Sequence, residues 1–215
     1  MNVKLVWITP DAEKFIAYCA RVSNPANQDN PDIEGLIKYC IKHKHWSPFQ
    51  MANVCIEINT SRAITAQIAR HSSFSIQEFS QRYAKVQSFE PIEIRRQDTK
   101  NRQNSIDDLP ADLKEWWKTE CDKVLEGASK LYSEAVAKGI AKECARMVLP
   151  MTSSSRMYLN GTVRSWLTYL MVRTGPETQK EHRDIAFAIK DILSEQMPLI
   201  ARSVGWVDNK QESGV

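Results

Sequence analysis

The sequence is poor in glycine and lacks every glycine-rich phosphate-binding motif. Only 7 of its 215 residues are glycine, and no two of them have the Gly-x-Gly spacing. This excludes the Rossmann dinucleotide fingerprint and the P-loop, which both need closely spaced glycines. If the protein binds phosphate groups, then arginines, hydroxyl groups and helix N-termini must hold them.

The cysteines also lack the spacing of a metal or redox motif. None of the five forms a Cys-x-x-Cys pair, and each lies among apolar neighbours, so the sequence predicts buried thiols in a reducing compartment. Cys40, His43 and His45 are close in sequence, but a zinc site needs more ligands and no second cluster exists. We therefore predict no metal site and no cysteine nucleophile. The five cysteines are Cys19, Cys40, Cys55, Cys121 and Cys144.

Charge and hydropathy place the chain among globular proteins. Hydrophobic residues make up 42%, and 29 basic against 26 acidic residues give a net charge of +3, too balanced to indicate nucleic-acid binding by itself. No apolar run approaches the ~18 residues that span a bilayer. The start, "MNVKLVWITP", lacks the long apolar segment of a signal peptide. We expect no membrane partner and a cytoplasmic location, in a prokaryote or in the host cell of a virus.

Hydrophobic periodicity predicts one α/β domain over residues 1–215, with a frayed tail from about residue 204. The last long helix is predicted to begin at a capping box of Thr178 with Glu181 and to run to about residue 203. The other predicted helices lie at 12–22, 33–44, 61–70, 110–138 and 140–149, and from Val163 up to Gly175. Strands are predicted at 3–8 and 54–58, at 154–162 together with a turn, and more weakly at 90–94.

The helix predicted at 110–138 carries a regular apolar stripe, and a polar stretch at 95–109 precedes it. Such a stripe is typical of a core or of a helix–helix contact. The polar stretch contains "RRQDTKNR", which could touch an anion, although an exposed, solvated loop is favoured. The stripe residues are Leu113, Trp117, Cys121, Val124, Ala128, Leu131 and Ala135.

The segment "RHSSFSIQEFSQRY", residues 70–83, concentrates hydrogen-bonding groups in a stretch that fits neither helical nor strand periodicity. We predict an irregular loop here whose side chains donate to ligand oxygens. Glu78 supplies its one carboxylate, which could neutralise an arginine or accept from a ligand N–H. Three further arginines, Arg146, Arg164 and Arg173, lie on predicted helices, where periodicity alone favours surface positions with snorkelling stems.

This segment resembles the signature of flavin-dependent thymidylate synthases, arginine-histidine-arginine-x-x-serine-x-asparagine-glutamate-x-serine-x-arginine-tyrosine. Two positions depart from it: Ser72 replaces the second arginine and Gln77 replaces the asparagine. Further segments resemble the family in the same order, namely "ARVS" at 20–23, "HWSPFQ" at 45–50, "AQIARH" at 66–71, "CARMVLP" at 144–150 and "NGTVRSWLTYLMVR" at 160–173. The signature matches are Arg70, His71, Ser75, Glu78, Ser80, Arg82 and Tyr83.

The resemblance implies a site for deoxyuridine monophosphate (dUMP). Ser80, Gln81 and Arg82 would meet the phosphate with help from Arg146. Arg173 would reach the uracil oxygens, where negative charge develops as carbon 5 attacks. The implied dUMP-binding residues are Gln67, Arg70, Glu78, Ser80, Gln81, Arg82, Arg146 and Arg173, of which Arg173, Gln67 and Ser80 are the expected catalytic residues.

The resemblance also implies an FAD site. Family members commonly carry glutamate and asparagine where this chain has Gln50 and Thr162. Ser72 keeps a donor but loses the charge of an arginine that would meet the flavin phosphates, so we expect weaker FAD binding. The implied FAD-binding residues are Ser23, His45, Ser47, Gln50, Arg70, His71, Ser72, Ser73, Thr162, Arg164 and Thr168.

The implied reaction is reductive methylation of dUMP to thymidylate, with methylenetetrahydrofolate as carbon donor and NADPH as the reductant of FAD. The implied fold is α/β (α+β), a single domain with a central mixed or antiparallel sheet flanked by long helices. The implied assembly is a homotetramer with active sites shared between subunits. Two alternatives stay open: a non-catalytic nucleotide- and flavin-binding relative, and a helical nucleic-acid-binding protein that uses the basic run at 95–102. We expect no nucleic-acid partner.

Overall fold

A four-stranded antiparallel sheet forms the centre of the fold in the computed structural model, which describes residues 1–86 and 88–207. The strands are β1 (Asn2–Ile8), β2 (Asn53–Ser61), β3 (Ser75–Glu78), β4 (Arg96–Gln97), β5 (Ser105–Ile106) and β6 (Ser154–Thr162). The helices are α1 (Ala12–Ala20), α2 (Glu34–Lys42), α3 (Arg62–Ile68), α4 (Ala111–Ala137), α5 (Lys142–Ala145), α6 (Val163–Arg173), α7 (Lys180–Gln196) and α8 (Pro198–Ser203). The sheet order is β1–β2–β6–β3, and every pairing is antiparallel. The predicted α/β fold with a central sheet is confirmed, in its antiparallel form.

Alternation along β2 and β6 separates a buried face of the sheet from a more exposed one. Val54, Ile56 and Ile58 of β2 are fully buried, and Met157 and Leu159 of β6 lie beside them. Side chains two residues apart share a face of a strand, so these five residues form one apolar surface. The helices cover this surface and close the core.

Helices α6 and α7 each contribute five buried side chains to that cover. Trp166 of α6 is completely buried, and its indole N–H donates to the Val54 carbonyl at 3.1 Å, which satisfies the one polar atom of its ring. The buried side chains of α7 recur at three- and four-residue intervals, as expected for one face of a helix. They are His182, Ile185, Ala186, Ile189 and Leu193.

The long helix α4 departs from one of the two interpretations of its apolar stripe, that of a core helix. Its predicted end is confirmed, because Gly139 follows it with φ of +86°, a conformation that favours glycine. However, Tyr132 is the one buried side chain of this helix, all of which is described. Val124 is 66% and Leu131 is 53% exposed. The apolar stripe therefore does not enter the core of this chain.

Several predicted segments differ in detail. Residues 75–78 of the segment predicted as a loop form β3, an edge strand paired with β6. The stretch predicted as a loop at 95–109 contains the β4–β5 hairpin. The candidate strand at 90–94 is not a strand, and the nearby pairing is a single bridge between Phe89 and Ser153. The whole of residues 154–162 is strand, without the predicted turn.

The helices of the C-terminal half are shorter than predicted. The helix expected at 140–149 divides into α5 and a 3₁₀ turn at Arg146–Val148. The last helix breaks at Met197, because Pro198 has no N–H to continue the hydrogen-bond ladder. The predicted capping box is wrong: the Thr178 hydroxyl donates to the Val172 carbonyl at 3.2 Å, and Glu181 accepts from Arg95 instead.

Two further expectations concern the tail and the thiols. Val204 and Trp206 pack against the core, so the predicted fraying does not begin at 204, and the predicted tail beyond 207 lies outside the described residues. Cys40 is buried as predicted, whereas Cys144 is exposed and the other three cysteines are partly exposed. In the described part of the chain, no helix has both the length and the apolar character needed to cross a bilayer.

Candidate functional site

The first residues of the segment 70–83 are bonded to helix α6 near both ends of that helix. Arg173, the last residue of α6, donates from Nε to Nε2 of His71 at 2.8 Å. Near the first turn of α6, the Ser165 hydroxyl donates to the Ser73 carbonyl at 3.2 Å. With a rise of 1.5 Å per residue, about 12 Å separates these two helix positions. His71 and Ser73, only two residues apart, are therefore bonded to opposite ends of one helix.

Between these ends, the ring of Phe74 packs directly over Gly161. A Cβ atom added at Gly161 would overlap the edge of the Phe74 ring, so this strand position requires glycine. The ring also packs against Trp166, with 4.5 Å between the ring centroids, and against Tyr169, edge to face, at 5.7 Å. The segment 70–83 therefore has a buried apolar attachment at Phe74, between the polar residues at 70–73 and those that follow from Ser75.

At the C-terminal end of α6, two histidines flank the buried Tyr169. The His71 ring meets Tyr169 edge to face with 4.9 Å between centroids, and the Tyr169 hydroxyl lies 2.9 Å from Nε2 of His182. Burial, together with the positive charges of Arg173 and Arg70, lowers the pKa of His71. Burial likewise lowers the pKa of His182 to about 3, with a smaller contribution from Arg173. Both imidazoles are therefore neutral at pH 7.

Gln67 joins this group from α3. Its Oε1 lies 3.3 Å from Nδ1 of His182, and its Nε2 donates to Oε1 of Gln179 at 2.6 Å. The structure thus brings three predicted residues, Gln67, His71 and Arg173, around one end of α6. Sequence reasoning missed Tyr169, His182 and Gln179. The position of His182 within the periodic apolar face of α7 was the available signal for a buried histidine.

Glu78 ends β3 and is held by two donors. Arg62 Nη1 donates to its Oε1, and the Ser155 hydroxyl donates to the same oxygen at 2.8 Å. The prediction that this carboxylate could neutralise an arginine is therefore confirmed, with Arg62 as the partner. Sequence reasoning did not single out Arg62, whose position at the start of α3 carries no distinctive pattern.

Ser80, Gln81 and Arg82 form the turn that follows β3, where the Ser80 carbonyl accepts from two backbone N–H groups. The Arg82 side chain is exposed and pairs with Glu143 at 3.0 Å. A cavity of about 340 Å³ opens beside this pair, lined by Ser80, Arg82, Tyr83, Ala141, Lys142 and Glu143. Arg146 follows on the next turn after α5. Ser80, Arg82 and Lys142 thus bring donors to one open space, an arrangement suited to a phosphate group.

At the N-terminal end of α6, the hydroxyl groups of two predicted FAD residues already form hydrogen bonds with the backbone of the helix. The Thr162 hydroxyl caps the helix by accepting from the Ser165 backbone N–H at 3.2 Å. The Thr168 hydroxyl donates to the Arg164 carbonyl at 3.1 Å. Ser72 and Arg164 are exposed. Thr162 and Ser73 are brought together, because Ser165 bonds to both.

The remaining predicted FAD residues lie on loops around a short 3₁₀ turn at Pro48–Gln50, which packs against α6 and α1. His45 belongs to a ring cluster in which Tyr39 lies 4.3 Å from His43 and 5.6 Å from His45, measured between centroids. Among the described hydrogen bonds, none joins these loops to the segment 70–83. The exposed residues of this group are Ser23, His45, Ser47 and Gln50, and Arg70 is exposed beside His71.

Comparison with known proteins places these features in a family. A family model described as "Thymidylate synthase complementing protein" matches residues 4–199. The probable flavin-dependent thymidylate synthase of Paramecium bursaria Chlorella virus 1 is 49% identical over 216 residues, covering 96% of this chain and 100% of that protein. The flavin-dependent thymidylate synthase of Synechocystis sp. is 50% identical over 194 residues, covering 90% of each chain.

Solved structures agree on the fold. The UMP/dUMP methylase PolB from Streptomyces cacaoi, in a crystal structure with 5-Br dUMP bound, superposes with a TM-score of 0.84. The match covers 95% of this chain and 94% of that one at 22% sequence identity. At this level of identity the similarity establishes the shared architecture alone.

Proposed function

The chain belongs to the Thy1 family of flavin-dependent thymidylate synthases, and from that membership we propose that it converts dUMP to thymidylate by reductive methylation. Methylenetetrahydrofolate is the proposed carbon donor, FAD the proposed cofactor and NADPH its reductant. The observation that carries the proposal is the placement of the segment 70–83. Its polar residues lie on both sides of the Phe74 attachment, with Arg82 exposed beside an open cavity and His71 bonded to Arg173.

The nucleotide phosphate is proposed to bind at Ser80, Gln81 and Arg82, with Arg146 nearby. Arg82 is 67% exposed and its partner Glu143 is 53% exposed, and such ion pairs contribute only about 0–1 kcal/mol. A phosphate can therefore replace Glu143 at small cost and gain charge-assisted hydrogen bonds from the guanidinium group.

The uracil ring is proposed to lie near Arg173, Gln67 and Glu78. Within the described residues, Arg173 bonds to His71 through Nε, which leaves its two terminal amino groups to donate to a ligand. Carbon 5 of uracil is more nucleophilic when the ring oxygens carry negative charge, and a guanidinium group already in position stabilises that charge. The lowered pKa of His71 keeps its ring neutral, so Nε2 of His71 accepts from Arg173 and the ring adds no second positive charge beside the guanidinium group.

The donor set at the other end of α6 fits a flavin dinucleotide. Exposed hydroxyl groups and Arg164 offer hydrogen bonds of the kind that a diphosphate requires, and the Tyr39–His45 ring cluster offers aromatic faces. FAD, when bound, would supply hydride chemistry that no side chain of this protein can perform. Ser72 is the weak point of this donor set, because it offers a hydroxyl where the family signature has an arginine.

The exposed stripe of α4 supports the proposed homotetramer with shared active sites. Val124 and Leu131 present apolar side chains to solvent on a 27-residue helix, and such faces pack against a partner chain in many symmetric oligomers. A tetramer would also let loops from a second subunit complete the FAD site. We place the enzyme in the cytoplasm, where reduced folates and NADPH are available.

The nucleic-acid alternative loses support from the hairpin β4–β5. Arg95 pairs with Glu181 at 2.6 Å and Arg96 pairs with Asp108 at 2.6 Å, so two cations of the basic run at 95–102 are already neutralised. A phosphate backbone would have to displace both carboxylates.

The direct test is formation of thymidylate by purified protein supplied with dUMP, methylenetetrahydrofolate, NADPH and FAD. We expect a yellow protein that NADPH bleaches, and product that depends on every component. Arg173→Ala should retain the fold and FAD while losing turnover. A yellow protein that binds dUMP without turnover would instead identify the non-catalytic relative.

The FAD site has its own test at Ser72. If no other cation replaces the missing charge, Ser72→Arg should bind FAD more tightly and with greater sensitivity to salt, by roughly the 1.5–3 kcal/mol of a charge-assisted bond. The readout is a fluorescence titration with FAD at low and high salt. Unchanged or weaker binding would contradict the expectation of a weakened flavin site.

A further inference from the structure

The side-chain amide of Gln67 is held at both of its polar atoms. Its Nε2 donates to Gln179 Oε1 at 2.6 Å, and its Oε1 lies 3.3 Å from His182 Nδ1. The oxygen and nitrogen of an amide are similar in size, so the partners must decide which way the group points. Here the partners form a chain of hydrogen bonds, and a charged group fixes the direction of that chain.

The charged group is the carboxylate of Glu181. Its Oε1 accepts from Arg95 Nη2 at 2.6 Å, and its Oε2 accepts from Gln179 Nε2 at 2.9 Å. Burial acts to raise the pKa of Glu181, but the hydrogen bonds from Arg95, from its own backbone N–H and from Gln179, together with the charge of Arg95, outweigh burial and the pKa is lowered. An ionised carboxylate can only accept, so Gln179 must turn its amino group toward Glu181 and its carbonyl oxygen toward Gln67. Gln67 must then present its own amino group to Gln179.

The direction continues through His182. The Gln67 oxygen, which faces His182, can only accept, so the proton of the neutral imidazole must be on Nδ1. Nε2 is then an acceptor, and the Tyr169 hydroxyl donates to it across 2.9 Å. His182 and Tyr169 are buried, which shields the bond between them from water, whereas the bond from His182 to Gln67 is partly buried.

We infer that His182 is a positioning residue that fixes the orientation of the Gln67 amide and thereby selects uracil over cytosine. The inference rests on the proposed function, which assigns Gln67 to the nucleotide. In the fixed orientation, Gln67 keeps one N–H and one oxygen lone pair for a ligand. Uracil presents an oxygen acceptor at position 4 and an N–H donor at position 3, which match them. Cytosine presents the reverse pattern, an amino donor and a ring-nitrogen acceptor.

A locked amide discriminates between these bases, whereas an amide that can rotate accommodates both. A site whose hydrogen-bonding groups cannot adapt leaves them unpaired against the wrong base, and this rejects that base strongly. A histidine that only fills space in the core of α7 would have no effect on the choice of base.

The first test reads the tautomer of His182 without any ligand. The full chain is labelled with ¹⁵N at its four histidines, and long-range ¹H–¹⁵N spectra are recorded from pH 8 to pH 5. The His182 signals are assigned by their loss in His182→Asn. We expect a neutral ring protonated on Nδ1 across the range. A ring protonated on Nε2, or a ring that titrates near pH 6.5, overturns the inference.

The second test compares three substitutions in the FAD-loaded protein. Asparagine can place an amide N–H close to the position of Nδ1, whereas glutamine reaches the position of Nε2 and leucine offers no donor. Dissociation constants for dUMP and dCMP are measured by calorimetric titration. The preference for dUMP should fall about tenfold or more in His182→Leu and His182→Gln, and stay within about threefold of the native value in His182→Asn.

The outcomes separate the inference from the proposed function. If all three variants lose the preference equally, in proportion to their loss of melting temperature, His182 is a structural residue only and the inference is overturned. If Gln67→Ala leaves dUMP affinity unchanged, Gln67 is not a nucleotide contact and the selection of uracil is overturned. If the native protein binds no dUMP, the proposed function fails, and the tautomer alone then decides whether His182 orients Gln67.

Discussion

Two arginine–glutamate ion pairs differ in their exposure to solvent. The difference indicates which pair can open to bind a ligand and which pair supports the structure. The Arg82–Glu143 pair leaves 67% and 53% of its side chains exposed, whereas Arg95 and Glu181 are 9% and 26% exposed. Water screens the first pair, so its carboxylate can be exchanged for a ligand phosphate. The second pair is enclosed, and its fixed charges orient the amide chain that reaches Gln67. Arginine–glutamate contacts in this molecule must therefore be interpreted by their surroundings.

The largest expected effect comes from breaking the enclosed pair. Arg95→Ala leaves Glu181 largely buried without its cation, which should lower the free energy of unfolding by about 3 kcal/mol. Arg96→Ala is the matched control at the neighbouring residue, because its pair with Asp108 is 43% and 46% exposed and its loss should cost less than about 1 kcal/mol. The measurement is urea denaturation of both variants. Equal losses would show that exposure does not distinguish the two pairs.

The corresponding change in the exposed pair should affect binding and not stability. Arg82→Ala removes charge-assisted bonds to the proposed phosphate and should weaken dUMP binding by roughly 1.5–3 kcal/mol, about tenfold to a hundredfold. Its melting temperature and FAD content should stay close to the native values. Calorimetric titration with dUMP measures the effect. Native affinity in a folded variant would remove Arg82 from the proposed site.

The next effect concerns pH. His182 is neutral in the folded protein, with a pKa of about 3, but takes up a proton near pH 6.5 when unfolded. The unfolded state therefore binds more protons between these values, and stability falls as the pH drops below 6.5. From pH 8 to pH 5 this residue should cost about 2 kcal/mol.

The control for the pH effect is His182→Asn, which has no titrating group at this position. Its stability should fall less over the same range, while the lowered pKa of His71 adds a loss of the same sign in both proteins. Urea denaturation at pH 8, 6.5 and 5 measures the difference. Parallel curves for the two proteins would contradict a neutral, buried His182.

The smallest change sharpens the comparison. Glu143→Gln keeps the size of the side chain but removes the carboxylate that competes with phosphate for Arg82. The affinity for dUMP should rise by about 0.2–1 kcal/mol, up to roughly fivefold, and the gain should shrink at high salt. Titrations at two salt concentrations measure it. A loss of affinity would mean that Glu143 supports the nucleotide instead of competing with it.

The sequence predicted the sheet and helices well where one face of an element is buried. The alternation at 54–58 identified β2, and the end of α4 at Gly139 was confirmed. The strand β3 escaped prediction because it is a four-residue edge strand in which Ile76 alone is apolar and Glu78 takes the next position on the more buried face. The Asn-Gly pair in β6 suggested a turn, but strands on both sides hold it extended.

The family signature located the site residues, but their partners depend on contacts between distant parts of the chain. Arg82 and Glu143 are 61 residues apart, and Gln67 and His182 are 115 residues apart. No local spacing can indicate such pairs. The stripe of α4 shows the converse limit, because its periodicity indicates an apolar face without saying which surface covers it.

The contact between Gly161 and Phe74 has a consequence for how this chain can change over generations. A lineage that acquires any side chain at position 161 must also give up the aromatic ring at position 74, since both cannot occupy the same space. A change at position 161 therefore requires a matching change at position 74, which is 87 residues away by its number in the chain. A mutational library that varies position 161 alone would record it as intolerant and would miss the compensated pairs.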